Sequence, residues 1–259
     1  MLDILVAARL DVGAHIRRAG EVHVDASTGP VRAEQGILKW GGAAAMIGGV
    51  LALVVNILHP RPDEFTAQAE LDLVAGSDSW LLIHLAAAWA TAFVFVGLVA
   101  AGSYIERAGS PTWARLARAS AIGGSVVAFL GLAVDGMALK EVADTGGPGA
   151  TFVAEIGLAF FTALIGATFG LTPLVFGMAQ LATGTFPRWI GMLAVAGGAL
   201  GLLTASIQYL SGPSTFVTGV MFTIGALIVT VWIVAVGWSL WKAADAGASE
   251  PAAAGRVAL

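Results

Sequence analysis

The chain has no cysteine, two tyrosines and four histidines, and charged residues make up only 12% of its 259 positions. Without cysteine there is no disulfide, no thiolate metal site and no thiol nucleophile. A water-soluble domain of this length carries about a quarter charged residues, so the shortage of charge excludes an ordinary soluble surface. The net charge of −4 is small, and no basic patch interleaved with aromatics points to nucleic acid.

What the chain has instead is apolar length. It is 58% hydrophobic, with 34 glycines and a mean hydropathy of +0.85. The apolar residues come in unbroken runs rather than at amphipathic spacing, and runs of about 20 residues read as membrane-spanning helices. Six fall at 38–58, 80–102, 118–139, 153–181, 188–210 and 215–240. The pattern predicts an all-α, polytopic bundle of six transmembrane helices, residues 38–242, in the cell membrane and in contact with the lipid bilayer. A tail, 1–37, precedes it and a flexible tail, 243–259, follows. Met1 to Arg18 mixes apolar and charged residues as an interfacial amphipathic helix does, and is too interrupted for a signal peptide. Glu21 to Gln35, with Ser27, Thr28, Gly29 and Pro30, reads as loop. The 59–79 connection carries Asp63, Glu64, Glu70, Asp72 and Asp78 against one Arg61, and Pro62-Asp63-Glu64 has the pattern of a short helix start. Pro173 predicts a kink or tilt in the fourth span.

Lysine and arginine set the expected orientation. With the N-terminus cytoplasmic, Arg9, Arg17, Arg18, Arg32, Lys39, Arg107, Arg115, Arg118, Arg188, Lys242 and Arg256 lie inside, and only Arg61 and Lys140 outside. This bias predicts that both termini are cytoplasmic. Small-residue pairs, Gly166/Gly170 and Gly197/Gly201, and the stripe Gly41, Ala45 and Gly49 predict close helix packing.

The functional signal is one carboxylate, Asp135, near the end of the third apolar run. A carboxylate inside the membrane is costly and faces a partner or a wet cavity. In the expected topology His84, Asp135, Glu155, Gln208 and Tyr209 share a depth towards the outer leaflet, with Asn56, His59, Thr215 and Thr218 nearby. Three functions fit. The group can bind or transport a small solute or ion, the leading reading. His84, Asp135 and Glu155, with His59, can ligate a divalent metal and serve a membrane hydrolase, since imidazole and carboxylates suit zinc, iron or manganese; no HExxH-type spacing supports it. Or the protein is a non-catalytic scaffold or accessory subunit in which Asp135 pairs with His84 or Lys140 to hold helices in register.

Phe186-Pro187-Arg188-Trp189-Ile190-Gly191 opens the fifth segment, Trp80-Leu81-Leu82-Ile83-His84 the second, and Val134-Asp135-Gly136-Met137-Ala138-Leu139-Lys140 closes the third. Over residues 38–242 these motifs resemble a bacterial family of six-span integral membrane proteins known as a domain of unknown function. The resemblance implies the fold and the membrane location and no reaction. The first motif has its own physical reason: proline starts the helix, and phenylalanine and tryptophan anchor it at the interface.

Overall fold

A computed structural model describes residues 29–249. Among them there is no strand, and six helices are long and apolar enough to cross a membrane: Gln35–Leu58, Trp80–Arg107, Pro111–Thr145, Ala150–Thr183, Arg188–Ser211 and Thr215–Ala246. The protein is a multi-pass helical membrane bundle. The first 28 residues, where the interfacial helix is expected, lie outside the described residues.

The helices outrun the apolar segments at several ends. The first begins at Gly29, correcting the loop expected up to Gln35. Pro30 sits in its first turn, where the missing N–H costs no hydrogen bond, and Ala33, Glu34 and Gln35 are good helix formers. The last continues to Ser249 through alanine-rich sequence. The acidic connection holds one short helix, Ala67–Ala75. It starts five residues beyond Pro62 because Thr66 is its cap: the Thr66 hydroxyl accepts from Ala69 N–H at 3.2 Å.

Consecutive spans pack side by side, and the sixth returns to the first, closing a ring. Lys39 and Asp245, joined at 3.0 Å, place the start of the first span and the end of the sixth at one end of the bundle. Backbones approach closely in that half, as between Gly42 and Gly237. A Cβ added at either would lie 2.6 Å from the other's carbonyl oxygen, so only glycine permits the contact. Phe176 and Trp232, both fully buried, fill the interior there.

Three spans are interrupted by wide π turns: Ala133–Ala138 in the third, Ile165–Leu171 in the fourth and Thr215–Met221 at the head of the sixth. The second stands directly before Pro173, whose ring cannot sit on a normal α turn. The fourth span therefore meets proline by widening. Across the turn Thr172 Oγ1 donates to Ala167 O at 2.9 Å. Bonds from Thr168 Oγ1 to Gly124 O at 2.7 Å and from Thr172 Oγ1 to Ser120 O at 2.8 Å tie the fourth span to the third. All three wide turns border one central cavity of about 230 Å³, walled by the first, second, third, fourth and sixth spans.

Candidate functional site

At the head of that cavity, away from the Lys39–Asp245 end, four elements meet. The second span begins with fully buried Trp80, and one turn later His84 points inward, 5% exposed. The His84 Nδ1–H donates to Trp80 O at 2.9 Å, a carbonyl of its own helix. The Trp80 indole N–H donates to Asp135 O at 2.9 Å. Asp135 sits in the wide turn of the third span, and its Oδ2 lies 3.0 Å from His84 Nε2. Gly136 makes room for this: a Cβ there would lie 2.7 Å from the Cβ of His84. From the end of the first span His59 stacks edge-on against both rings, 5.2 Å from Trp80 and 5.1 Å from His84. Its Nδ1–H donates to Pro60 O at 2.7 Å.

These bonds fix the chemistry of both rings. A carbonyl oxygen can only accept, so Nδ1 is the protonated nitrogen in each, and Nε2 is left for the site. In His84 that Nε2 faces a carboxylate oxygen, another acceptor. Two lone pairs 3.0 Å apart repel, so a proton or a cation occupies that contact. One ligand atom each from His59, His84 and Asp135 lies within 4.8 Å of the other two. Around a tetrahedral cation with bonds of about 2.1 Å, neighbouring ligand atoms stand about 3.4 Å apart. The His84–Asp135 pair is already near that spacing, and the widest pair needs to close by roughly 1.4 Å. Imidazoles whose other nitrogen is held by a main-chain carbonyl are the usual form of metal-ligating histidine.

Glu70 reaches the cavity from the short helix Ala67–Ala75 and is buried, 8% exposed, its carboxylate without a hydrogen bond or ion pair among the described residues. Burial first, and then the charge of Asp135, push its carboxyl up to about 7. Burial, and then neighbouring His84, push His59 below its ordinary value, which keeps a lone pair on its ring. At the rim Arg61 donates to Asn56 Oδ1 at 2.7 Å and Thr223 Oγ1 at 3.1 Å.

Of the residues singled out in the sequence, the structure brings His84, Asp135 and His59 together. Glu155 is exposed on the fourth span and does not line the cavity. Gln208 is buried, donating to Thr218 Oγ1 at 2.7 Å and accepting from Thr162 Oγ1 at 3.1 Å, so it joins the fifth span to the fourth and sixth. Tyr209 is 85% exposed. Lys140 does not meet Asp135. It donates to Val74 O at 3.1 Å and to Asp144 at 2.8 Å, holding the short helix to the third span. Glu70 is the site residue that sequence reasoning left among the loop acids; its place beside Leu71 and Val74, both buried, was the available sign.

No family model matches the chain, and no curated protein or solved structure matches it.

Proposed function

We propose that this membrane protein binds a divalent cation at His59, His84 and Asp135, on the side of the membrane away from the cytoplasm. The observation that carries the reading is the pair of histidines whose Nδ1–H groups are held by main-chain carbonyls, Pro60 O and Trp80 O, beside a carboxylate in the same small volume. Two imidazoles and a carboxylate suit zinc, manganese or iron. Three protein ligands leave a coordination position open towards the cavity, as in sites that handle a further ligand rather than purely structural ones.

The side of the membrane rests on the lysine and arginine distribution: among the described residues Lys39, Arg107, Arg115, Arg118, Arg188 and Lys242 fall towards the Lys39 end, and Arg61 and Lys140 towards the His59 end. A C-terminal reporter active only outside the cytoplasm overturns that assignment. Binding is favoured over passage because the opposite half is filled by Phe176 and Trp232 and drawn tight at Gly42 and Gly237.

The test is the metal content of detergent-purified protein, wild type beside His84→Ala and Asp135→Asn. The expected result is near-stoichiometric metal in the wild type, lost in both variants while each keeps its monodisperse helical fold. Metal-free wild type that takes up neither zinc, manganese nor iron overturns the reading and leaves His84 and Asp135 as an ion pair between the second and third spans.

A further inference from the structure

We infer that the site is hydrolytic and that its substrate is an ester or amide of an apolar acyl chain, with Glu70 receiving the proton of the attacking water; this rests on the cation reading above. Three observations meet here. Glu70 is a buried carboxylate that supports nothing. Its carboxylate forms no hydrogen bond or ion pair among the described residues, yet it lines the same cavity as His84 and Asp135. A carboxylate kept near a cation site and bound to neither a helix end nor a base is placed for proton transfer. It also arrives on a separate element, the short helix clamped by Lys140, so its position is set independently of the ligands.

The second observation is the shape of the cavity. Its charged groups and histidines gather at the cluster, and the walls beyond are mostly apolar, through residues such as Ala128, Leu132, Leu164 and Phe169, broken by the hydroxyls of Thr91, Ser125, Thr168, Thr172 and Thr230. Its volume is about 230 Å³. From Asp135 the lining continues down the third span to Gly124 and Ala121, and the eleven residues from Asp135 to Gly124 rise about 16 Å along a helix. A ligand with its reacting carbonyl at the cluster therefore extends an apolar chain towards the bundle centre.

The third observation is that His59, His84 and Asp135 all line this cavity, so a cation held by these three ligands would keep its remaining position towards it. The reaction balances with water alone. A water at the open position gives one proton to Glu70, and its oxygen forms a bond to the substrate carbonyl carbon. The bond from that carbon to the alcohol oxygen or amine nitrogen breaks, and Glu70 returns the proton to the leaving group. The products are a carboxylic acid and an alcohol or amine, with no redox change and no further reactant.

The experiment uses the full chain in detergent, stripped with chelator and reloaded with zinc. The probes are p-nitrophenyl octanoate, p-nitrophenyl acetate and octanoyl p-nitroanilide. The expected result is zinc-dependent hydrolysis of an octanoyl probe with kcat/KM well above that for acetate. Glu70→Gln, isosteric with the native residue, is expected to keep bound zinc and the melting temperature while kcat falls by about 100-fold or more. The two octanoyl probes separate an ester substrate from an amide one. Zinc bound at the site with no zinc-dependent hydrolysis of either octanoyl probe overturns the hydrolytic inference and leaves the cation reading standing. Glu70→Gln as active as the wild type, or devoid of zinc, overturns the role given to Glu70. Failure of the wild type to bind any metal removes both readings together.

Discussion

The two ends of this bundle are built from the same six helices and held together by opposite means. At the Lys39 end backbones touch. Gly42 meets Gly237, Gly97 meets Ala45, and the aromatic pair Phe176 and Trp232 fills what is left. The ion pairs there lie at the surface, Lys39 with Asp245 and Arg118 with Glu106 at 2.6 Å, where such pairs contribute little to stability. At the His59 end the helices stand apart around a cavity, and side chains bridge the gap: Trp80 to the third span, His84 to Asp135, His59 against both. Beneath the exposed acids of the 59–79 connection, that end also holds charge inside the fold, at Glu70 and in the His84–Asp135 pair. The difference teaches that the sealed half supplies the cohesion, which lets the other half keep space and polar groups inside a membrane.

The sharpest way to break the contrast is to force the sealed half open. Gly42→Leu puts a branched side chain where even a Cβ lies 2.6 Å from Gly237 O. The expected outcome is loss of monodisperse protein on size exclusion in detergent, with the metal site lost as a consequence. A Gly42→Leu protein that elutes and melts like the wild type refutes the assignment of cohesion to this contact.

The next test concerns the buried charge of the open half. In chelated protein, the Glu70 carboxyl holds its proton up to about pH 7 when folded but only to about 4.5 when unfolded. Between these values the folded chain binds more protons, so stability falls as pH rises through that window, by up to about 3 kcal/mol. Glu70→Gln removes this decline. Melting temperatures of both proteins from pH 4.5 to 7 check it, and parallel curves contradict it.

Smaller still is the effect of crowding the open half. Gly136→Ala places a methyl 2.7 Å from the His84 Cβ. Displacing a ligand by a few tenths of an ångström is expected to weaken metal binding tenfold to 100-fold, as loss of an orienting contact does, with the helical fold kept. Titration with zinc against a competing chelator measures it. At the bottom of the scale, Glu155→Gln and Tyr209→Phe are expected to leave metal content and melting temperature unchanged, since both residues are exposed outside the cavity lining.

The spans were legible because membrane length is a one-dimensional property: about 20 apolar residues suffice to announce each helix. Their polar extensions were not, and neither the first turns at Gly29 nor the third span's continuation to Thr145 carries an apolar signal. His84 and Asp135 could be paired from depth alone, as the inward polar residues of adjacent spans. Depth also gathered Glu155 and Tyr209, because a residue's height along a helix says nothing about the direction it faces. Glu70 was hidden for a different reason. Its helix folds back over the end of the bundle, a tertiary event held by Lys140 and Val74 that the acidic composition of the connection conceals.

The wide turn that carries Asp135 has a bearing on chain length. Such a turn equals one residue inserted into an otherwise regular helix. Deleting one residue within Ala133–Ala138 would leave an ordinary helix of full hydrogen bonding, able to cross the bilayer as before. The residues beyond would keep their faces, because the wide turn already absorbs the extra residue: Leu139 would stay against Trp80 and Lys140 on Val74 O. What would change is the turn itself, where the Asp135 carbonyl accepts from Trp80 and its carboxylate meets His84. The site is therefore bound to an exact residue count in a stretch where the membrane itself would tolerate one fewer.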